Sequence, residues 1–234
     1  MRMTCDTEKS ISSGIRCLPV AQFRRKEQLV ASCRRLLTDY YMDPDVPLSY
    51  AIAHEATHVY FEQVSRHAIT GMFFARFPET VTPSMPLVSY MGLTVVDRCR
   101  ATPACSRRLW SQFLHDVRDF AGVGVNVLVW YRTATPFGLY PAQALLRDGI
   151  PKRKGALPGD ALGLVREIRR AFFIPENDAT EHPFVVRGYA RARYNESETA
   201  FIARYRQANG DDLLSGLRIR EEKGDRLLLL GYVP

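Results

Sequence analysis

Two runs of the chain, residues 68–77 and 87–96, are apolar at both odd and even positions. A strand with one wet face alternates apolar and polar residues, so a run without alternation belongs to a strand covered on both faces. Residues 125–131 read as a third buried strand. Such strands do not stand alone: helices must lie on both sides of the sheet that holds them. Residues 59–64 lead through Ser65-Arg66-His67 into the first run, which predicts a hairpin, and the proline-containing loop 78–86 separates the first run from the second.

Spacing locates the helices. Within residues 23–41, Leu29, Val30, Cys33, Leu36, Leu37 and Tyr40 recur at intervals of three and four, the stripe of an amphipathic helix, and the Asp43-Pro44-Asp45-Val46-Pro47 break ends it. Residues 48–55 can be helical too. Leu109, Trp110, Phe113, Leu114, Val117 and Phe120 stripe another helix, which Gly122 stops. A first strand is expected at 14–20, and a short helix at 139–146 after the turn Thr135-Pro136-Phe137-Gly138. The composition shifts at the basic stretch Pro151-Lys152-Arg153-Lys154-Gly155. Beyond it the pattern predicts a helix at 162–173, a strand at 183–189 and a helix at 196–207. A terminal hairpin of 217–222 and 226–233 follows, turning at Lys223-Gly224-Asp225. The expected fold is a single α+β domain over 1–234, of three-layer α/β/α type. It has a mixed, mostly antiparallel central sheet flanked by helices, a core at 14–150 and a C-terminal elaboration at 151–234.

With 46% hydrophobic and 24% charged residues, the chain is neither a disordered tail, a collagen-like fibre nor a coiled-coil rod. No apolar run approaches the ~20 residues of a membrane span. The polar opening MRMTCDTEKS has no apolar signal region, and the five cysteines are scattered and odd in number. A cytoplasmic protein with reduced thiols and no membrane partner is expected. The net charge of +7 suits an anionic small molecule as well as nucleic acid. Tyr189, Arg191, Arg193 and Tyr194 interleave aromatics with arginines, but alternation along a surface strand explains them, and nucleic acid is not expected as a partner.

The stretch from Gly92 to Trp110 runs as strand, loop and helix: Gly92-Leu93-Thr94-Val95-Val96-Asp97-Arg98-Cys99-Arg100, then Ala101-Thr102-Pro103-Ala104-Cys105-Ser106-Arg107-Arg108-Leu109-Trp110. Together with the order of elements over 14–150, it resembles the GNAT superfamily of acyl-CoA N-acyltransferases. The resemblance implies an acyltransferase-like fold and transfer of an acyl group, most simply acetyl, from acyl-CoA to a small-molecule or peptide amine. A homodimer is compatible with it. It also implies that the two central strands splay to admit pantetheine. A backbone N–H near Thr94 or Val95 would polarise the thioester carbonyl, and residues Val96 to Arg108 would hold the pyrophosphate. Ala104 and Ser106 fall where the family has glycine or alanine, Cys105 lies between them in the same cofactor-binding stretch, and Arg100, Arg107 and Arg108 supply charge. The loop departs from the family pattern in lacking glycine and in containing Pro103, which has no N–H to offer. Glu62, Glu79 and Asp97 are the acids available as proton acceptor, with Glu62 at their head. Tyr140 stands where many relatives have the tyrosine that protonates the leaving thiolate.

A second pattern competes. His54-Glu55-Ala56-Thr57-His58 matches the HExxH of zinc peptidases, in which two histidines four apart on one helix bind zinc and the glutamate activates its water. Glu196 would be the third ligand, with Glu198 next in line. The short stretch ahead of the motif and the strand-like run at 59–64 count against this reading.

Overall fold

The computed structural model describes residues 14–65, 68–83, 85–97, 101, 104–152, 160–176, 181–209 and 213–234. Its strands are β1 (Ile15–Pro19), β2 (His58–Ser65), β3 (Ala68–Glu79), β4 (Leu87–Val96), β5 (Val127–Thr133), β6 (Arg147–Ile150), β7 (Val185–Val186) and β8 (Arg226–Tyr232). They form one sheet in the order β1-β2-β3-β4-β5-β8-β6, with β7 also paired to β8. All neighbours are antiparallel except β4 and β5, which run parallel. The expected mixed, mostly antiparallel sheet with flanking helices is what the chain forms.

The helices are α1 (Val20–Arg24), α2 (Glu27–Thr38), α3 (Asp45–Tyr50), α4 (Cys105–Ala121), α5 (Pro136–Leu145), α6 (Ala161–Ala171), α7 (Glu196–Asn209) and α8 (Leu213–Gly216). A π turn at Ala51–Glu55 continues α3, and a 3-10 turn spans Glu221–Lys223. Successive residues of β3 serve opposite layers, which is why the run does not alternate. Phe73 meets Trp110 and Phe113 of α4, whereas Phe74 packs edge-on against Phe23 of α1. Phe74 belongs to a layer with Cys33, Leu36 and Leu37 of α2 and Leu48 of α3. Each fully buried phenylalanine contributes roughly 1.5–3 kcal/mol of transfer free energy, so β3 welds both layers to the sheet. Among the described residues, no helix is long and apolar enough to cross a membrane.

Several sequence expectations are corrected. The helix expected over 23–41 is two helices, because Lys26 leaves the helical region (φ −99°, ψ 80°). At 3.6 residues per turn, one straight helix would set Phe23 about a quarter turn off the face of Cys33, Leu36 and Leu37; the break lets all four bury. The strand expected at 183–189 pairs only at Val185–Val186, since Gly188 takes φ 60° and turns the chain away. The terminal hairpin does not form. Its first arm includes a 3-10 turn, and β8 instead inserts between β5 on one edge and β6 and β7 on the other. Residues 14–150 therefore do not contain the whole sheet.

Candidate functional site

The parallel pair β4–β5 is short. Leu87 to Met91 pair with Val127 to Tyr131, and there the contact stops. β4 continues to Val96 paired only with β3, while β5 continues to Thr133 paired only with β8. The divergence coincides with a bulge: Phe73 faces Thr94 but Ala75 faces Met91, so β4 carries one extra residue at 92–93. Bulges bend a strand and end its pairing, which is the effect here. Gly92 permits it, because a Cβ at that position would lie 2.6 Å from the carbonyl oxygen of Phe74. The strands thus open into a wedge, and a cleft of about 1290 Å³ runs through it.

On one face the wedge meets the start of α4. Ala104, Cys105 and Ser106 line the cleft there. Ala104 sits in the left-handed region (φ 64°) and offers no side-chain cap, so the first N–H groups of a 17-residue helix are not capped from that residue. Arg107 is exposed at the same end. Arg108 instead turns inward and donates to Glu62 from Nε at 3.0 Å and Nη2 at 2.6 Å. Thr70 donates to the same carboxylate at 3.1 Å. Burial acts to raise the Glu62 pKa, but hydrogen bonds from Cys105, Arg108 and Thr70, with the Arg108 charge, hold it below the usual value. This cluster ties α4 to β2 and β3. The indole of Trp110 donates to the Thr94 hydroxyl at 2.9 Å, and the Tyr40 hydroxyl donates to the Val96 carbonyl.

The other face is different. Tyr131 packs on Trp110 of α4, so its neighbours Trp130 and Arg132 point to the opposite side of the sheet. There the Arg132 guanidinium lies over the rings of Tyr50, Tyr90, Trp130 and Tyr189 at 4.6–5.9 Å. It forms an ion pair with Glu55, both side chains being nearly buried. Arg132 donates to the Tyr90 hydroxyl at 2.8 Å, and that hydroxyl donates to Glu55 Oε2 at 3.0 Å. Tyr50 and Tyr189 share a hydroxyl–hydroxyl bond of 2.7 Å. Burial lowers the Arg132 pKa, partly offset by the tyrosines around it. The cleft therefore joins the N-terminal end of α4 on one face to the Glu55 carboxylate, paired with the caged Arg132, on the other.

Of the residues singled out in the sequence, Thr94, Val96, Ala104, Cys105 and Ser106 line the cleft. Val95 instead turns its side chain into the α1–α3 layer, and Arg100 lies outside the described residues. Glu62 and Arg108 are spent on each other beneath α4 and are not among the residues lining the cleft. Glu79 pairs with Arg76 at the far end of β3; of the three acids considered, only Asp97 lines the cleft. Tyr140 does not reach it either: α5 begins at Pro136, earlier than expected, and sets Tyr140 on an exposed face. Of the tyrosines that do line the cleft, Tyr131 lies on the α4 side of β5. Its hydroxyl lies over Gly138, where a Cβ would come within 2.3 Å, and burial pushes its phenol up.

The HExxH reading fails on backbone geometry. The helical stretch ends at Glu55, Ala56 is extended (φ −105°, ψ 144°), and His58 opens β2 opposite Ala75. The two histidines thus do not share a helix face. His58 bonds Thr57 through Nδ1 at 2.9 Å and stacks on Phe77 at 4.2 Å. Glu196 is exposed in the first turn of α7, while Glu198 is buried and lines the cleft. Among the described residues, no three His, Cys, Asp or Glu side chains gather as a metal site would need. The motif did contain a residue that lines the cleft, Glu55, for a different reason. Arg132 and its tyrosine cage carried no sequence signal, because the cage is drawn from α3, β4, β5 and the segment after β7.

No family model matches the chain, and no curated protein does. Solved structures with some likeness include a point mutant of the BH1408 protein from Bacillus halodurans. It is 17% identical, covering 62% of this chain and 98% of that one, with a TM-score of 0.35. A GphF GNAT-like decarboxylase in complex with isobutyryl-CoA is 11% identical over 94% and 99% of the two chains, TM-score 0.39. A provisionally assigned acetyltransferase from Pyrococcus horikoshii is 8% identical over 97% and 92%, TM-score 0.43. Likenesses this distant carry no argument, so the function of this chain has to be read from its own geometry.

Proposed function

We propose that the protein transfers an acyl group from a CoA thioester to an amine, the two reactants meeting in the wedge between β4 and β5. The observation that carries this reading is the wedge itself, open to a helix N-terminus on one face and to a carboxylate on the other. A pantetheine arm is a slim chain of amides, and the edge of β4 beyond Met91 no longer serves β5. The pyrophosphate belongs at the start of α4, where the first N–H groups and the positive end of the helix dipole favour anions, with Arg107 adding charge.

The acceptor then approaches from the Arg132 face. An ammonium must first lose a proton, and Glu55 is the acceptor placed for it, directly or through water. The freed nitrogen lone pair forms the C–N bond while the carbonyl π electrons move to oxygen, stabilised by a backbone N–H of the bulged stretch of β4. Collapse breaks the C–S bond. The thiolate takes its proton from Tyr131, the second amine proton leaves to solvent, and exchange with solvent returns a proton to Tyr131 and removes the one held by Glu55.

The test is calorimetric titration with acetyl-CoA alongside thiol release over an amine panel. Glu55→Gln should lower kcat by about 10²–10⁴-fold and leave the acetyl-CoA Kd unchanged. If the wild type neither binds acetyl-CoA nor releases thiol, the reading is wrong.

A further inference from the structure

α6 ends in a turn whose backbone asks for glycine. The Ile174 N–H donates back to the Arg169 carbonyl at 2.8 Å and the Phe173 N–H to that of Arg170 at 3.5 Å. Between them Phe173 takes φ 51°, the left-handed conformation of a helix C-terminal cap. A side chain there costs roughly 1 kcal/mol relative to glycine, and a bulky one is unusual. Packing within the chain does not repay that cost, because Phe173 is 91% exposed while its neighbour Ile174 supplies the buried contact of the turn. The ring stands on the rim of the cleft. Phe172, next to it, packs on Trp130 at 4.6 Å, which places this end of α6 on the same face as Arg132.

We infer that Phe173 is a specificity-determining contact for the acceptor, and that the acceptor is a small amine carried on a flat apolar or aromatic body. This rests on the acyl-transfer reading and adds the substrate class to it. Val46, Pro47, Tyr50, Tyr90 and Tyr189 wall the cleft on this face, with Glu55 among them. An amine held at Glu55 would lay its body along the tyrosine rings and end against Phe173. The rings of Tyr50, Tyr90 and Tyr189 and the exposed Phe173 favour a flat apolar body over a polyamine or amino sugar, whose polar groups would be drawn to Asp97 and Glu198 elsewhere in the cleft. Strain kept at a rim residue that stabilises nothing inside the chain is what a ligand contact explains.

The experiment compares wild type with Phe173→Ala and Phe173→Gly, using 2-phenylethylamine, ethylamine and spermidine as probes. Both variants should fold, since the ring is exposed, and Phe173→Gly should melt slightly higher. The KM for 2-phenylethylamine should rise about tenfold in both, about 1.4 kcal/mol. The KM for acetyl-CoA and turnover of ethylamine should be unchanged, and Phe173→Trp should restore the affinity. Unchanged 2-phenylethylamine affinity in both variants, or a wild-type preference for spermidine, would overturn the inference. Calorimetry with 2-phenylethylamine alone reads the same contact without turnover. A failure of the acyl-transfer reading would instead appear as absent acetyl-CoA binding in every form.

Discussion

His58 shows how a residue that looks chemical in the sequence becomes structural in the fold. Burial opposes its protonation, against a weaker pull from Asp116, and brings its pKa down to about 4 from 6.5. The unfolded chain therefore takes up a proton near pH 6.5 that the folded chain refuses until about pH 4. The stability this gives is complete above 6.5 and is lost as pH falls through 4, by at most about 3 kcal/mol. His58→Phe keeps the stack on Phe77 and should flatten that loss. Urea midpoints at pH 7 and pH 4.5 would check it: the gap between them should narrow in the variant, and an equal gap would remove His58 as the cause. Glu55, three positions earlier, went the other way. Its place in the HExxH pattern drew attention to it, and the fold gives it a guanidinium and a phenol in place of a metal.

At the scale of elements, α4 begins at a residue its backbone does not suit. Ala104 occupies the left-handed region, so Ala104→Gly should stabilise the protein by about 1 kcal/mol, a rise of roughly 2–4 °C in Tm by calorimetry. An unchanged or lower Tm would mean that the Cβ is repaid by contacts in the loop. The long buried elements, β3, β4 and α4, were legible in the sequence, since their patterns report burial that both local geometry and packing demand. What was not legible depended on partners far along the chain. The break at Lys26 is set by the need of Phe23 to reach Phe74, and β6 exists because β8 offers it an edge. The site followed the same division. The α4 end could be found from a strand–loop–helix pattern, whereas strand parity and the earlier start of α5 decide that Tyr131 lines the cleft and Tyr140 is exposed. The cage of Arg132 joins residues up to 139 positions apart, such as Tyr50 and Tyr189, and no window of sequence contains it.

For the whole molecule, the position of β8 matters most. It holds β5 along one edge and β6 and β7 along the other, so it is an interior strand of the sheet. The segment just before it is pinned by the buried Asp225, which takes Arg187 at 2.8 Å and the Gly188 N–H at 3.0 Å. A chain shortened to end before Arg226 should lose its cooperative thermal transition by circular dichroism; a sharp melt at the wild-type temperature would show that β5 tolerates being an edge. The same arrangement has a consequence in time. About ninety residues separate the end of β5 from β8. At synthesis rates of roughly 5–20 residues per second, the ribosome takes about 5–20 s to deliver the strand that closes the sheet. During that interval Val127-Leu128-Val129-Trp130-Tyr131 presents an apolar, unpaired backbone edge, the kind of template that other nascent chains join. Soluble yield should accordingly depend on how quickly that gap is crossed and on what shields β5 while it lasts, rather than on the stability of the finished fold.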